Sequence, residues 1–208
     1  MNNNFFKALE YEKSQQKKAD DFYKKLFGDK LLEIKRWDYN EDECSRKMQQ
    51  MGVDVTLTIK FTGRTFNNVI DKSKLNISYH ISEKFRTKDW GDMLIELYSK
   101  FPETKGWGHH NAADYIVYFV GDNVYVIDNK ELVSFVENIS NDISENFLNN
   151  IFKTNTKKRY FECYKGKSIN IIKTPTCLDD KEGWESVGVC VKWDDLKEFG
   201  IRIKKHEL

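Results

Sequence analysis

Three ionisable side chains stand where the surrounding sequence calls for burial: Asp54 in Gly52-Val-Asp-Val-Thr, Lys84 in Ser82-Glu-Lys-Phe, and Glu96 in Leu94-Ile-Glu-Leu-Tyr. A charge inside a strand is costly unless it is paired or bound to a metal, so each needs a reason. Two carboxylates with a lysine nearby are what metal-dependent phosphodiester hydrolysis requires. The acids hold Mg²⁺ or Mn²⁺, the ion polarises the phosphate, and the lysine orients or helps deprotonate the attacking water. Plainer roles stand beside this. Asp54 is also suited to capping a turn after Gly52, and Glu96 to a buried ion pair with Lys84 or Arg86.

The elements that must position these residues are legible as alternation. Val53, Val55, Leu57 and Ile59 share one face of a strand whose other face carries Asp54, Thr56, Thr58 and Lys60. Gly63 and Asn67-Asn68 supply turn chemistry before a second alternating run, Leu75 to Phe85, and Met93 to Tyr98 reads as a third. An antiparallel meander is expected. Upstream, Phe5 to Phe27 has helical spacing closed by Gly28, Leu31 to Trp37 alternates as a strand, and Asp38 to Gln50 is polar with room for a helical turn. Downstream, Tyr115 to Val120 and Val124 to Ile127 form a hairpin through Gly121-Asp-Asn. One broken helix or two short ones follow over Lys130 to Ile151. The tail holds strands at Ser168 to Lys173 and Val187 to Lys192, and a short helix near Asp194.

The order Gln50-Met-Gly-Val-Asp54, Ser82-Glu83-Lys84-Phe-Arg86, Leu94-Ile-Glu96-Leu-Tyr-Ser99, Gly106-Trp107 and Ala113-Asp114-Tyr115 resembles small phage and bacterial members of the PD-(D/E)xK nuclease superfamily. The resemblance covers the middle third of the chain closely and the ends more loosely. It implies an α/β fold, a restriction-endonuclease-like core with a central mixed β-sheet flanked by helices, that cuts DNA with Mg²⁺ or Mn²⁺. It places Asp54 as the first acid and Lys84 as the lysine of the acid-x-lysine pair. Ser82 stands where that signature has its second acid. The second carboxylate is then Glu83, brought inward by a β-bulge at Ser82-Glu83, or Glu96 from the next strand; otherwise the site is degenerate and binds DNA or a protein without cutting. Endonuclease action is favoured over exonuclease action, and double-strand cutting in this superfamily often implies a homodimer. Gln50 is a candidate support for the site.

Composition bounds the rest. The 208 residues, 39% hydrophobic and 32% charged, suit one domain with a small appendage or at most two compact lobes, the simplest division being a nuclease-like core over 1–152 with a β-rich extension, 153–208, packed on it. A formal charge of +1 offers no overall field for a polyanion, so DNA contacts need local clusters. Between Lys60 and Lys88 seven Lys/Arg face only Asp71 and Glu83, and between Lys153 and Lys167 six face only Glu162. Arg86, Lys88, Lys157, Lys158 and Arg159 are the candidate phosphate contacts. Tyr160, Phe161 and Tyr164 interleave with the second cluster as stacking candidates, although a charged run is more often a solvated face. The charged amino terminus does not read as a signal peptide, and no apolar run approaches the ~20 residues of a membrane span, so a cytoplasmic protein is expected. Cys44, Cys163, Cys177 and Cys190 lack CxxC spacing and read as reduced thiols. Adjacent His109-His110 lacks the i, i+4 geometry of helical metal ligands. P-loop, GxGxxG, GxSxG and HExxH motifs do not occur.

Overall fold

The computed structural model describes residues 3–60, 75–109, 111–143, 147–148, 150, 159–178 and 181–208. Close backbone contacts divide the chain into two units whose segments alternate in sequence: one built from Phe6–Thr87, Ala112–Val126 and Lys204–Leu208, the other chiefly from Lys88–Asn111 and Ile127–Ile203.

The first unit begins with helix α1 (Asn3–Phe27) and continues through β1 (Leu31–Arg36), α2 (Glu43–Gln50), β2 (Val55–Lys60) and β3 (Asn76–Arg86). Gly28 ends α1 in a left-handed conformation (φ 53°), and the Asp42 side chain caps α2 by accepting from Ser45 N. β1, β2 and β3 form an antiparallel meander. On the far side of β3, β6 (Tyr115–Val120) pairs in parallel, from Ile81 opposite Tyr115 to Arg86 opposite Val120. β7 (Asn123–Asp128) and β11 (Ile203–Glu207) complete a six-stranded mixed sheet in the order β1-β2-β3-β6-β7-β11. The two-residue connection between β6 and β7 makes the predicted hairpin. Ala19, Phe22 and Tyr23 of α1 pack on the face that carries Val55, Leu57, Ile59, Ile81, Val117 and Phe119. The 3.6-residue period of the helix thereby meets the two-residue period of the strands.

The other unit is an antiparallel sheet, order β5-β4-β10-β9-β8, made of β4 (Asp92–Lys100), β5 (Thr104–Lys105), β8 (Arg159–Tyr164), β9 (Lys167–Leu178) and β10 (Lys181–Lys192). Helices α3 (Asn129–Asp142) and α4 (Trp193–Glu198) belong with it, α3 burying Leu132, Phe135, Val136 and Ile139. No helix among the described residues is long and apolar enough to cross a membrane.

The expected three-strand meander through Met93–Tyr98 is corrected here: the meander stops at β3, and β4 joins the other sheet. Burial explains the substitution. β6, Tyr-Ile-Val-Tyr-Phe-Val, is buried at five of its six positions and suits a slot covered on both faces, whereas β4 alternates buried and more open positions. The turn residues Gly63 and Asn67-Asn68 lie outside the described residues.

Candidate functional site

The candidate site lies where β2 begins. Asp54 stands one residue before β2, yet its N–H still donates to Ile81 O (2.9 Å), so the ladder holds its backbone in place. Its Oδ2 accepts from three donors on β3: the Glu83 N–H at 2.7 Å, Ser82 Oγ at 3.2 Å and Lys84 Nζ at 3.5 Å. Oδ1 has one long contact, from Gln49 Nε2 at 3.4 Å, and Gln49 also donates to Trp37 O at 2.7 Å. Asp54 and Lys84 side chains are each about a quarter exposed, at 26% and 25%. One carboxylate is thus oriented by a backbone amide and a buried hydroxyl, next to an ammonium open to solvent. Ser82, fully buried, joins the Glu83 N–H in holding the Asp54 carboxylate.

Glu83 takes the other course. The β3–β6 register runs without a shift from Ile81 to Arg86, so the bulge at Ser82-Glu83, one of the three alternatives, is absent and alternation sends Glu83 to the face opposite Ser82 and Lys84. There its carboxylate accepts from Arg36 Nη1 (2.7 Å), Arg36 Nη2 (3.3 Å) and Tyr23 Oη (2.9 Å). Arg36 also grips Asp20 at 2.6 and 3.1 Å and Gln16 O at 3.1 Å. Burial pushes the Glu83 carboxyl above its ordinary range, opposed by its bonds to Arg36 and Tyr23; burial beside Glu83 raises the Tyr23 phenol strongly. Both Glu83 oxygens are therefore engaged.

Glu96 sits in β4 of the other unit, opposite Gly188 of β10. The loop Gly106-Trp107-Gly108 runs against it: Gly106 N donates to Leu97 O, Gly108 N to Glu96 O, and Trp107 N to Glu96 Oε2 at 3.5 Å. A Cβ on Gly106 would lie 2.6 Å from both Glu96 Cγ and Glu96 O, so glycine is required by the close approach. Glu96 thus holds a loop, and the glycines flanking Trp107 have a packing reason.

A recess of about 390 Å³ opens over Asp54, Glu83 and Lys84. Glu12 of α1 lines it too, although its surface is partly in solvent. Burial in the recess raises the Glu12 carboxyl, Lys84 opposes that rise and Asp54 adds to it, so the three charges sense one another. Glu12, Arg36, Tyr23 and Gln49 were not singled out from the sequence. A signal for Glu12 existed in the polar line Glu12, Gln16, Asp20 at i, i+4, i+8 of an amphipathic helix. Gln50, the expected support, is exposed, and its neighbour Gln49 makes the contact.

Comparisons of this chain with protein-family models, with curated proteins and with solved structures return no match.

Among the described residues no three His, Cys, Asp or Glu side chains come together as a ready-made metal cage. The candidate acids nonetheless offer only hard oxygen, with Asp54 Oδ1 nearly uncommitted and Glu12 lining the same recess. That fits a Mg²⁺-type ion, which keeps several waters and binds through one or two carboxylates. Of the candidate phosphate contacts, Arg86 ends β3 and Lys88 lies 6.0 Å from the Trp90 ring. Lys157, Lys158 and the side chain of Arg159 lie outside the described residues. Tyr164 is not available for stacking on bases. It is 4% exposed and packed edge-on against Phe135 and Phe199, because β8 turns it into the core.

Proposed function

We infer that the protein is a metal-dependent nuclease hydrolysing DNA phosphodiester bonds, with Asp54 and Lys84 at its reactive centre. The observation that carries this reading is the acid and the lysine meeting across β2 and β3 at the floor of an open recess, with a second acid, Glu12, in electrostatic range. A mixed sheet with α1 packed on it, its first acid at one meander strand and its lysine on the next, agrees with a restriction-endonuclease-like core.

In this reading Asp54 holds Mg²⁺ or Mn²⁺ and Glu12 is the candidate second carboxylate. A bound ion would polarise the scissile phosphate and make a coordinated water more acidic. The Lys84 ammonium orients the attacking water and faces the negative charge that grows on phosphate in the transition state. Ser82 and the Glu83 N–H hold Asp54 still. Arg36 fixes β3 from its other face through Glu83.

Glu83's engagement with Arg36 and Tyr23, together with Ser82 at the signature's acid position, favours one competing reading: a nuclease-like fold that binds DNA or a protein without cutting it. Incubation of the purified chain with supercoiled, linear and single-stranded DNA in Mg²⁺ or Mn²⁺ decides between them. Cleavage lost in both Asp54→Asn and Lys84→Met supports the nuclease. No cleavage of any form, with no calorimetric binding of divalent ions, sinks it and leaves the binding module.

A further inference from the structure

The Asp54 recess carries two aromatic side chains to which the nuclease reading gives no role. Trp37 and Tyr39 line that recess, carried on the connection that follows β1. We propose that they form a base-stacking platform, so that the substrate is single-stranded DNA whose base seats on Trp37 and Tyr39 while its phosphate reaches Asp54 and Lys84. This deepens the nuclease reading and rests on it for the chemistry.

The platform is rigidly tied to the reactive acid. Trp37 N–H donates to Asp54 O at 3.0 Å, Trp37 O accepts from Gln49, which also reaches Asp54, and the indole Nε1–H donates to Thr56 Oγ1 at 2.8 Å. Tyr39 sits in a turn locked by Asp38, whose Oδ1 accepts Asn40 N at 3.0 Å and whose carbonyl accepts Glu41 N at 3.1 Å. A tyrosine 50% exposed on a fixed turn loses little conformational freedom when a base covers it. Cations already attend both rings: Lys35 Nζ lies 4.0 Å from the Trp37 ring and the Arg46 guanidinium 5.6 Å from that of Tyr39. Aromatic and guanidinium planes side by side are the usual furniture of single-strand sites.

Charge and size point the same way. The recess lining sets Lys13, Arg36 and Lys84 against four carboxylates, Glu12, Asp38, Asp54 and Glu83. A polyanion gains little Coulomb attraction there, so in this proposal the affinity falls to the stacked base. At about 390 Å³ the recess is at the small end of ligand sites, suited to one nucleotide unit and not to a duplex. Stacking reads no hydrogen-bond edge, so base identity should matter little.

The test uses the full chain in Ca²⁺ without Mg²⁺, with fluorescein-labelled oligothymidylate, its ribose counterpart and a blunt DNA duplex as probes. The single DNA strand is expected to bind at least tenfold tighter than the duplex. Tyr39→Ala should lose about tenfold of that affinity, the value of one stacked base, and Tyr39→Phe should keep it. A 2-aminopurine placed in the strand should be quenched by the wild type and not by Trp37→Phe/Tyr39→Ala. Equal affinity for duplex, tighter binding of the ribose strand, or an unchanged Tyr39→Ala overturns the proposal. The variant's unfolding midpoint shows whether it is folded; if it is not, Tyr39→Leu, which keeps apolar bulk without a π face, carries the test with the same loss expected. Single-strand binding without Mg²⁺-dependent cutting would remove the nuclease reading and leave the platform; cutting with a duplex preference would do the reverse.

Discussion

Arg36 is the side chain whose loss should be felt most widely. Glu83, 3% exposed at its side chain, is paired in the interior with one guanidinium and one phenol. Removing one partner of such a pair commonly costs about 3–5 kcal/mol. Arg36→Met should therefore lower the unfolding free energy by about 3 kcal/mol near neutral pH, measured by urea titration. The pH dependence has a definite sign. The Glu83 carboxyl is raised in the folded state, so its contribution is full below the unfolded value and is lost as pH rises through the folded one. Arg36→Met raises it further, so the deficit should widen from pH 5 to pH 8; a constant deficit would contradict the account. At the reactive centre, Asp54→Asn keeps an acceptor for Ser82 and the Glu83 N–H while removing the charge. Folding should survive, and Mg²⁺-dependent cleavage should fall about a thousandfold, equivalent to about 4 kcal/mol in the barrier.

At the scale of elements, alternation decided the fate of each candidate acid. The sequence makes β2 and β3 plain, because apolar residues occupy every second position, and it brings Asp54 and Lys84 together correctly. It left Glu83 open: whether strand β3 bulges depends on the partner strand, and β6 lies thirty residues downstream and pairs in regular register. Glu96 was misjudged as to its neighbour strand because a buried β6 competes for the slot beside β3, and such competition is decided by the whole sheet. Glu12 was missed because helical spacing marks which residues face the sheet, not which of the polar ones overhang its end. The loop against β4 provides its own test. Gly106→Ala places a Cβ 2.6 Å from the Glu96 backbone and should cost about 1–3 kcal/mol of stability, read as a lower thermal midpoint. Ala at exposed Gly91 meets no atom within 4 Å but inherits a positive φ (74°), so strain there should be backbone-borne and smaller.

For the whole molecule, the alternation of segments between the two units matters more than any boundary in sequence. β4 hydrogen-bonds to β10, so a fragment ending at residue 152 would strip β4 of that partner and uncover Met93, Ile95 and Leu97. Such a fragment should aggregate or lack the dispersed amide spectrum of the intact chain; a well-folded 1–152 would refute this. A net charge of +1 likewise bounds how DNA would be held under the nuclease reading. If a single strand binds through a stacked base and one phosphate at Lys84, log affinity should fall with log salt at a slope of only about −1.

The hydrogen bond from the Glu83 amide to the Asp54 carboxylate turns one backbone group into a gauge. An amide proton held at 2.7 Å by a carboxylate is strongly deshielded, and it moves upfield when that oxygen is protonated or shares its electrons with a cation. A single cross-peak in an ¹⁵N spectrum would thus report the state of the reactive acid directly. Under the nuclease reading, binding of an added divalent ion at that carboxylate becomes readable without a substrate.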